Sequence, residues 1–144
     1  MNINLAIIKG ANVLKDNSIK SPYLDSEILM AKAVNKDRKY LLLNSDRYLE
    51  DKDLNFFQRL IKKRSLGNPI AYLTNKKFFW DSEFVVSNDT LIPRPDTELI
   101  VEKVLKLTSN KKKMNILEIG IGSGCILLSI LKEKKSFYGT GIDI

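Results

Sequence analysis

The sequence predicts a small α-helical N-terminal bundle, a β-hairpin linker, and then the truncated start of a doubly wound, Rossmann-like α/β domain. Three observations lead there. Up to about residue 68, apolar residues recur at helical spacing between caps and glycine-proline stops. From 69 to 93 the pattern shortens to alternation around Phe78, Phe79, Trp80, Phe84, Val85 and Val86, as in paired strands. From Asn115, the run N-I-L-E-I-G-I-G-S-G-C-I-L-L-S reads as strand, glycine turn and helix start, and G-T-G-I-D-I follows as a second strand with an acid near its end. The expected domains are therefore 1–68, 69–93 and 94–144.

Each element has its own warrant. Residues 3–16 read as a helix with Leu5, Ile8 and Leu14 near one face. Ser21-Pro22 supplies a cap and a first-turn proline for a helix to about Asn35. Residues 38–43 suit a short helix, and 44–48 a turn. Residues 51–66 carry Leu54, Phe57, Leu60 and Ile61 inward, and Gly67-Asn68-Pro69 ends that helix. Pro93 and Pro95 around Arg94 fix an extended entry, and Asp96, Thr97 and Glu98 suit the N-terminus of a helix through Val101, Val104 and Leu107. Asn115–Ile119 is β-branched and apolar, as in a strand covered on both faces. From Cys125, Ile126, Leu127, Ile130 and Leu131 share a helix face.

Composition narrows the class. The chain has 144 residues, 44% hydrophobic and 28% charged, as in a globular protein. It carries no run of membrane-spanning length and no signal-peptide pattern. One cysteine and no histidine leave no disulfide framework and no expected metal site, and they fit a cytoplasmic setting. Cys125 reads as a small buried residue, since no histidine is present to activate it. The formal charge of +7 can attract nucleic acid or an acidic surface, or reflect a lysine-rich solvated face. The second reading is preferred, and direct nucleic-acid binding is not expected.

The glycine turn carries the chemistry. Gly120, Gly122 and Gly124 alternate through it, and glycine permits positive φ and close approach of a ligand to the backbone. Asp143 follows about 20 residues later, the layout that binds an adenosine ribose through its hydroxyls. The spacing is G-x-G-x-G, not the dinucleotide G-x-G-x-x-G, and Glu118 precedes the first glycine.

The form E-I-G-I-G-S-G resembles motif I of S-adenosylmethionine (AdoMet) methyltransferases. The octet Leu91-Ile92-Pro93-Arg94-Pro95-Asp96-Thr97-Glu98 resembles the L-I-P-R-P-[DE]-T-E signature of the HemK-type (PrmC) release-factor glutamine methyltransferases. The segment from Arg64 to Leu73 is similar to that family's R-x-x-G-x-P-x-A-Y-L, and the segment from Ser21 to Leu29 to its N-terminal P-R-L-D-A-E-L-L helix. Asn75, Phe78 and Asp81 stand where the family has glycine, glutamate and glycine. Asparagine tolerates left-handed φ; the other two bear on the contacts of the hairpin.

The resemblance implies AdoMet as cofactor and class 1 peptide chain release factors as partners, with the methyl group passing to the glutamine of their G-G-Q motif. It also implies the site. Gly120 and Gly122 let backbone pass close to AdoMet, within a cofactor segment of Glu118, Ile119, Gly120, Ile121, Gly122 and Gly124. Glu118 lies near the methionine amino group or is a structural strand-end acid. Asp143 accepts from the ribose hydroxyls or is simply solvated. Thr97 helps hold the methionine carboxylate or only starts a helix. Arg94 faces a substrate pocket or pairs with a carboxylate. The family orients the acceptor amide with N-P-P-Y, which is absent from this sequence, so no residue is assigned as catalytic. The expectation is an N-terminal fragment, inactive alone, with a complementary C-terminal fragment as a further partner. The alternatives are a nucleic-acid N-methyltransferase fragment and a non-catalytic release-factor-binding remnant.

Overall fold

The computed structural model describes residues 1–144, which form two compact units, Met1–Thr74 and Asn75–Ile144. The first is all helical: α1 (Ile3–Asp16), α2 (Pro22–Val34), α3 (Arg38–Leu43), α4 (Asp51–Ser65) and α5 (Ile70–Thr74). Polar side chains start two of these helices. Asn2 Oδ1 accepts from the Leu5 N–H at 2.9 Å, and Asp37 Oδ1 from the Tyr40 N–H at 2.7 Å. Ser21 does not cap α2 with its side chain, against expectation. Its ψ of 60° departs from the extended cap conformation, and Pro22 alone opens the helix. Asn35 closes α2 at φ 51°, and Gly67 at φ 91° follows the end of α4. Asp51 and Asp53 at the start of α4, and Lys62, Lys63 and Arg64 at its end, both match the helix dipole.

The buried stripe of α1 is Ile3, Ala6, Ile7, Gly10, Ala11 and Leu14. Leu5 and Ile8, expected inward, are 45% and 38% exposed. Small residues draw the stripe one position away from them, because they let the helices close in. A Cβ on Gly10 would lie 2.6 Å from Ser26 Oγ and 2.7 Å from Phe57 Cζ. Ile7, Leu14, Leu29, Met30, Phe57 and Ile61 fill the centre of this core. Arg64 Nε meets Asp25 Oδ2 at 2.7 Å, and Arg64 Nη1 donates to the Asn68 carbonyl at 3.0 Å. The ion pair thus joins α2, α4 and the turn after it. Residues 70–74, which carry no helical expectation, form α5.

The second unit begins with a hairpin, β1 (Lys76–Phe79) and β2 (Ser82–Val85), antiparallel with Phe79 opposite Ser82. Asn75 and Trp80 take positive φ at the hairpin's base and tip, 61° and 56°. A 3-10 turn (Pro95–Thr97) leads into α6 (Glu98–Leu107), followed by β3 (Asn115–Ile119), α7 (Cys125–Glu133) and β4 (Tyr138–Ile142). β3 and β4 pair in parallel, from Asn115 opposite Tyr138 to Ile119 opposite Ile142. Phe79, Phe84, Val101, Cys125, Ile130 and Phe137 form the core, with Phe79 and Phe84 edge to face at 6.1 Å.

The strand at 115–119 is not covered on both faces as expected. Leu117 and Ile119 are 59% and 78% exposed, and β4 is exposed throughout. A single crossover helix covers one face only. There Leu127 and Leu131 press on Gly139, where a Cβ would lie 2.7 and 2.8 Å from their Cδ1 atoms. No helix in the chain is long and apolar enough to cross a membrane.

Candidate functional site: the glycine turn between β3 and α7

The turn is sewn to the end of β4 by successive backbone donors. The N–H groups of Gly120 and Ile121 both donate to the Ile142 carbonyl, at 2.8 and 3.2 Å. The next N–H, that of Gly122, donates to Asp143 Oδ2 at 2.8 Å. Asp143 Oδ1 accepts from the Ile144 N–H at 3.1 Å. The acid and the glycine loop, 21 residues apart, are therefore one hydrogen-bonded unit.

The glycines explain how the chain makes this path. Gly120, Gly122 and Gly124 sit at φ 75°, 52° and 75°, where a side chain is strained. A Cβ on Gly120 or Gly122 would nevertheless have no neighbour within 4 Å. The backbone there thus faces open space that a ligand can enter. Gly124 differs, since its Cβ would lie 3.1 Å from Leu128 Cδ1. Ile121 turns onto β4: its Cδ1 occupies the space that a Cβ on Gly141 would need.

Glu118, the penultimate residue of β3, has its side chain on the helix side. Its Oε2 accepts from the Leu127 N–H at 3.0 Å, in the first turn of α7. Gly124, the N-cap residue, has no side chain to do this. Glu118 therefore caps α7 from the neighbouring strand and holds the turn from its far side. Burial pushes its carboxyl above the usual range, and the Leu127 hydrogen bond partly opposes that.

The fold thus gathers Glu118, Gly120, Ile121, Gly122, Gly124 and Asp143, with Ile119 carried alongside on the exposed strand end. Thr97 is not joined to them by any hydrogen bond. Its N–H donates to the Arg94 carbonyl at 3.0 Å, and its side chain caps nothing. Arg94 makes no side-chain cap to the 3-10 turn.

The final acid of the octet has a role that its motif position did not reveal. Glu98 Oε1 accepts from the Trp80 N–H at 2.7 Å, steadying the hairpin tip in its left-handed conformation. Trp80 Nε1 donates to Glu133 at 2.9 Å, and Asp81 pairs with Lys132 at 2.9 Å. Lys132 holds the Asp81 carboxyl below its usual range. The two residues that depart most from the family's hairpin pattern are thereby accounted for. Asp81 gains a partner, and Phe78 points outward, 65% exposed. Such pairs, about fifty residues apart, leave no local signal.

Known proteins resemble this chain along most of its length. Residues 6–74 match the family model of the PrmC N-terminal domain, ending where the first compact unit ends. The release factor glutamine methyltransferase of Leptospira interrogans is 40% identical over 137 residues, 94% of this chain and 48% of the relative. That of Buchnera aphidicola subsp. Acyrthosiphon pisum is 38% identical over 144 residues, 99% of this chain and 50% of the relative. The bifunctional methyltransferase of Rickettsia bellii is 33% identical over 162 residues, 94% of this chain and 29% of the relative. The chain spans about half the length of the release-factor methyltransferases it matches. Over that span the chain is similar to these release factor glutamine methyltransferases, and its residues 6–74 match the PrmC N-terminal domain.

Proposed function

We propose that this chain carries the donor half of an AdoMet-dependent methylation of the G-G-Q glutamine in class 1 release factors. The observation that carries the reading is the glycine turn: Gly120 and Gly122 face open space, with Glu118 and Asp143 fixed on either side of it. AdoMet, when bound, supplies an electrophilic methyl group on a sulfonium. The fit is chemical as well as spatial. Asp143 keeps lone pairs for ribose hydroxyls, and Glu118 places negative charge near the turn for an ammonium group. Ile119, Ile121 and Gly124 complete the turn, and Thr97 is the proposed partner of the methionine carboxylate.

In this reading β3, the turn, α7 and β4 are the opening of a Rossmann-like methyltransferase domain over 94–144. Residues 1–68 recognise the substrate protein, and 69–93 link the two. A cytoplasmic setting goes with it. An amide nitrogen is a poor nucleophile, so transfer needs acceptors that hold the NH₂ in line with the methyl. These 144 residues contain no N-P-P-Y to do so.

The test incubates the chain with labelled AdoMet and a release factor, alone and with a second polypeptide carrying the N-P-P-Y half of a relative. Label on the G-G-Q glutamine only in the complemented reaction is the expected result. Transfer by the chain alone, or to nucleic acid instead of the release factor, would overturn the reading.

A further inference from the structure

The helical unit carries a groove of about 290 Å³ along the seam of α1 and α4, lined by no residue of the glycine turn. Its floor is apolar, made by Ala6, Val13, Leu54, Phe57 and Ile61, and Lys9 and Lys62 stand on its rim. A second hollow on the outer side of α4 shares Gln58 and Lys62 with the first and adds Lys52 and Arg59. The two together are lined by four cationic side chains and no carboxylate. Lys52 pairs with Glu50 at 2.9 Å, and Arg59 lies 5.7 Å from the Phe56 ring centroid. Lys9 and Lys62 are exposed and make no ion pair, so their charge is free for a partner.

We infer that this groove docks an acidic amphipathic helix of a protein partner. Apolar anchors at i, i+3, i+4 and i+7 would enter the floor between α1 and α4, as in helix-in-groove recognition. Carboxylates flanking that stripe would meet Lys9 and Lys62, with Arg59 further along. The charge complementarity selects an acidic helix over a basic one and speeds encounter. The apolar lining selects a peptide over a phosphate backbone, which would bury no apolar surface against Val13 and Leu54, apolar lining residues that remain accessible. The inference rests on the proposal that the helical unit recognises a protein, and it gives that recognition a surface and a chemistry.

The test titrates the full chain with a synthetic helical peptide bearing leucines at those four positions and glutamates beside them. The comparison ligands are its glutamate-to-lysine counterpart and a single-stranded oligonucleotide. NMR shifts should map to α1 and α4, and the acidic peptide should bind at least about tenfold tighter than the basic one. Lys9→Glu combined with Lys62→Glu should remove that preference while lowering the melting temperature only slightly, since both side chains are exposed and only Lys62 meets a helix dipole. Val13→Glu, at a position 43% exposed, should weaken both peptides. No peptide binding, equal affinity for the two peptides, a preference that survives charge reversal, or tighter binding of the oligonucleotide would each overturn the inference. AdoMet calorimetry on the same preparations separates this from the donor-site proposal, because the groove variants touch no residue of the glycine turn.

Discussion

Glu118 sits near the end of a strand and caps a helix, and its raised carboxyl pKa gives that position a pH signature. A carboxyl raised in the folded state favours folding most at low pH, below its ordinary value of 4.5. That contribution is lost as pH rises through the folded-state value. Glu118→Gln keeps an acceptor for the Leu127 N–H and removes the charge. The variant should therefore melt at or above the wild-type temperature at pH 7, and the gap should close as pH falls. Glu118→Leu loses the cap and should cost about 1 kcal/mol. Melting curves across that pH range decide it; a Gln variant that is less stable at pH 7 would contradict the assignment. Asp25 and Arg64 make a second residue-scale case. Both were legible only as letters of separate motifs, because nothing local shows that positions 39 apart will meet. Asp25→Ala leaves a partly buried guanidinium unpaired and should cost about 2–4 kcal/mol, read from the urea midpoint.

At the scale of elements, the helices were readable because caps and stops are local chemistry. Asn35 and Gly67 end helices in the left-handed conformation that their residue types permit. Which face a helix buries was less readable. The stripe of α1 is chosen by the close approach of α2 and α4 at Gly10, a tertiary fact that overrides the larger side chains of Leu5 and Ile8. Gly10→Ala tests this directly. Helix propensity alone favours alanine by about 1 kcal/mol. The Cβ contacts with Ser26 and Phe57 should outweigh that, and overpacking of this kind costs about 1–3 kcal/mol. A lowered melting temperature is expected; a raised one would show that the α1–α2–α4 contact is looser than described. On α7, Ser129 Oγ is buried with no hydrogen-bond partner. Ser129→Ala should be neutral or stabilising by up to about 1 kcal/mol in the same melt.

For the whole molecule, the parallel pair exposes Leu117, Ile119, Tyr138 and Ile142 on one sheet face. Parallel strands are ordinarily covered on both sides, and an uncovered apolar face with a free edge promotes association. Sedimentation of the purified chain should show self-association that rises with concentration and falls for Ile119→Lys. The order of strand, glycine turn, helix and acid was visible in the sequence, because glycine at strained φ and an acid about 20 residues later are sequence-local requirements. The bond from Gly122 to Asp143 and the cap from Glu118 were not, since each depends on how β3, α7 and β4 stack. The central claim is that the open backbone at Gly120 and Gly122, tied to Asp143, receives AdoMet. Isothermal calorimetry of the wild-type chain, Gly122→Val and Asp143→Ala tests it most directly. Measurable, weak AdoMet affinity in the wild type that both variants lose is expected; equal affinity in all three would overturn the proposal.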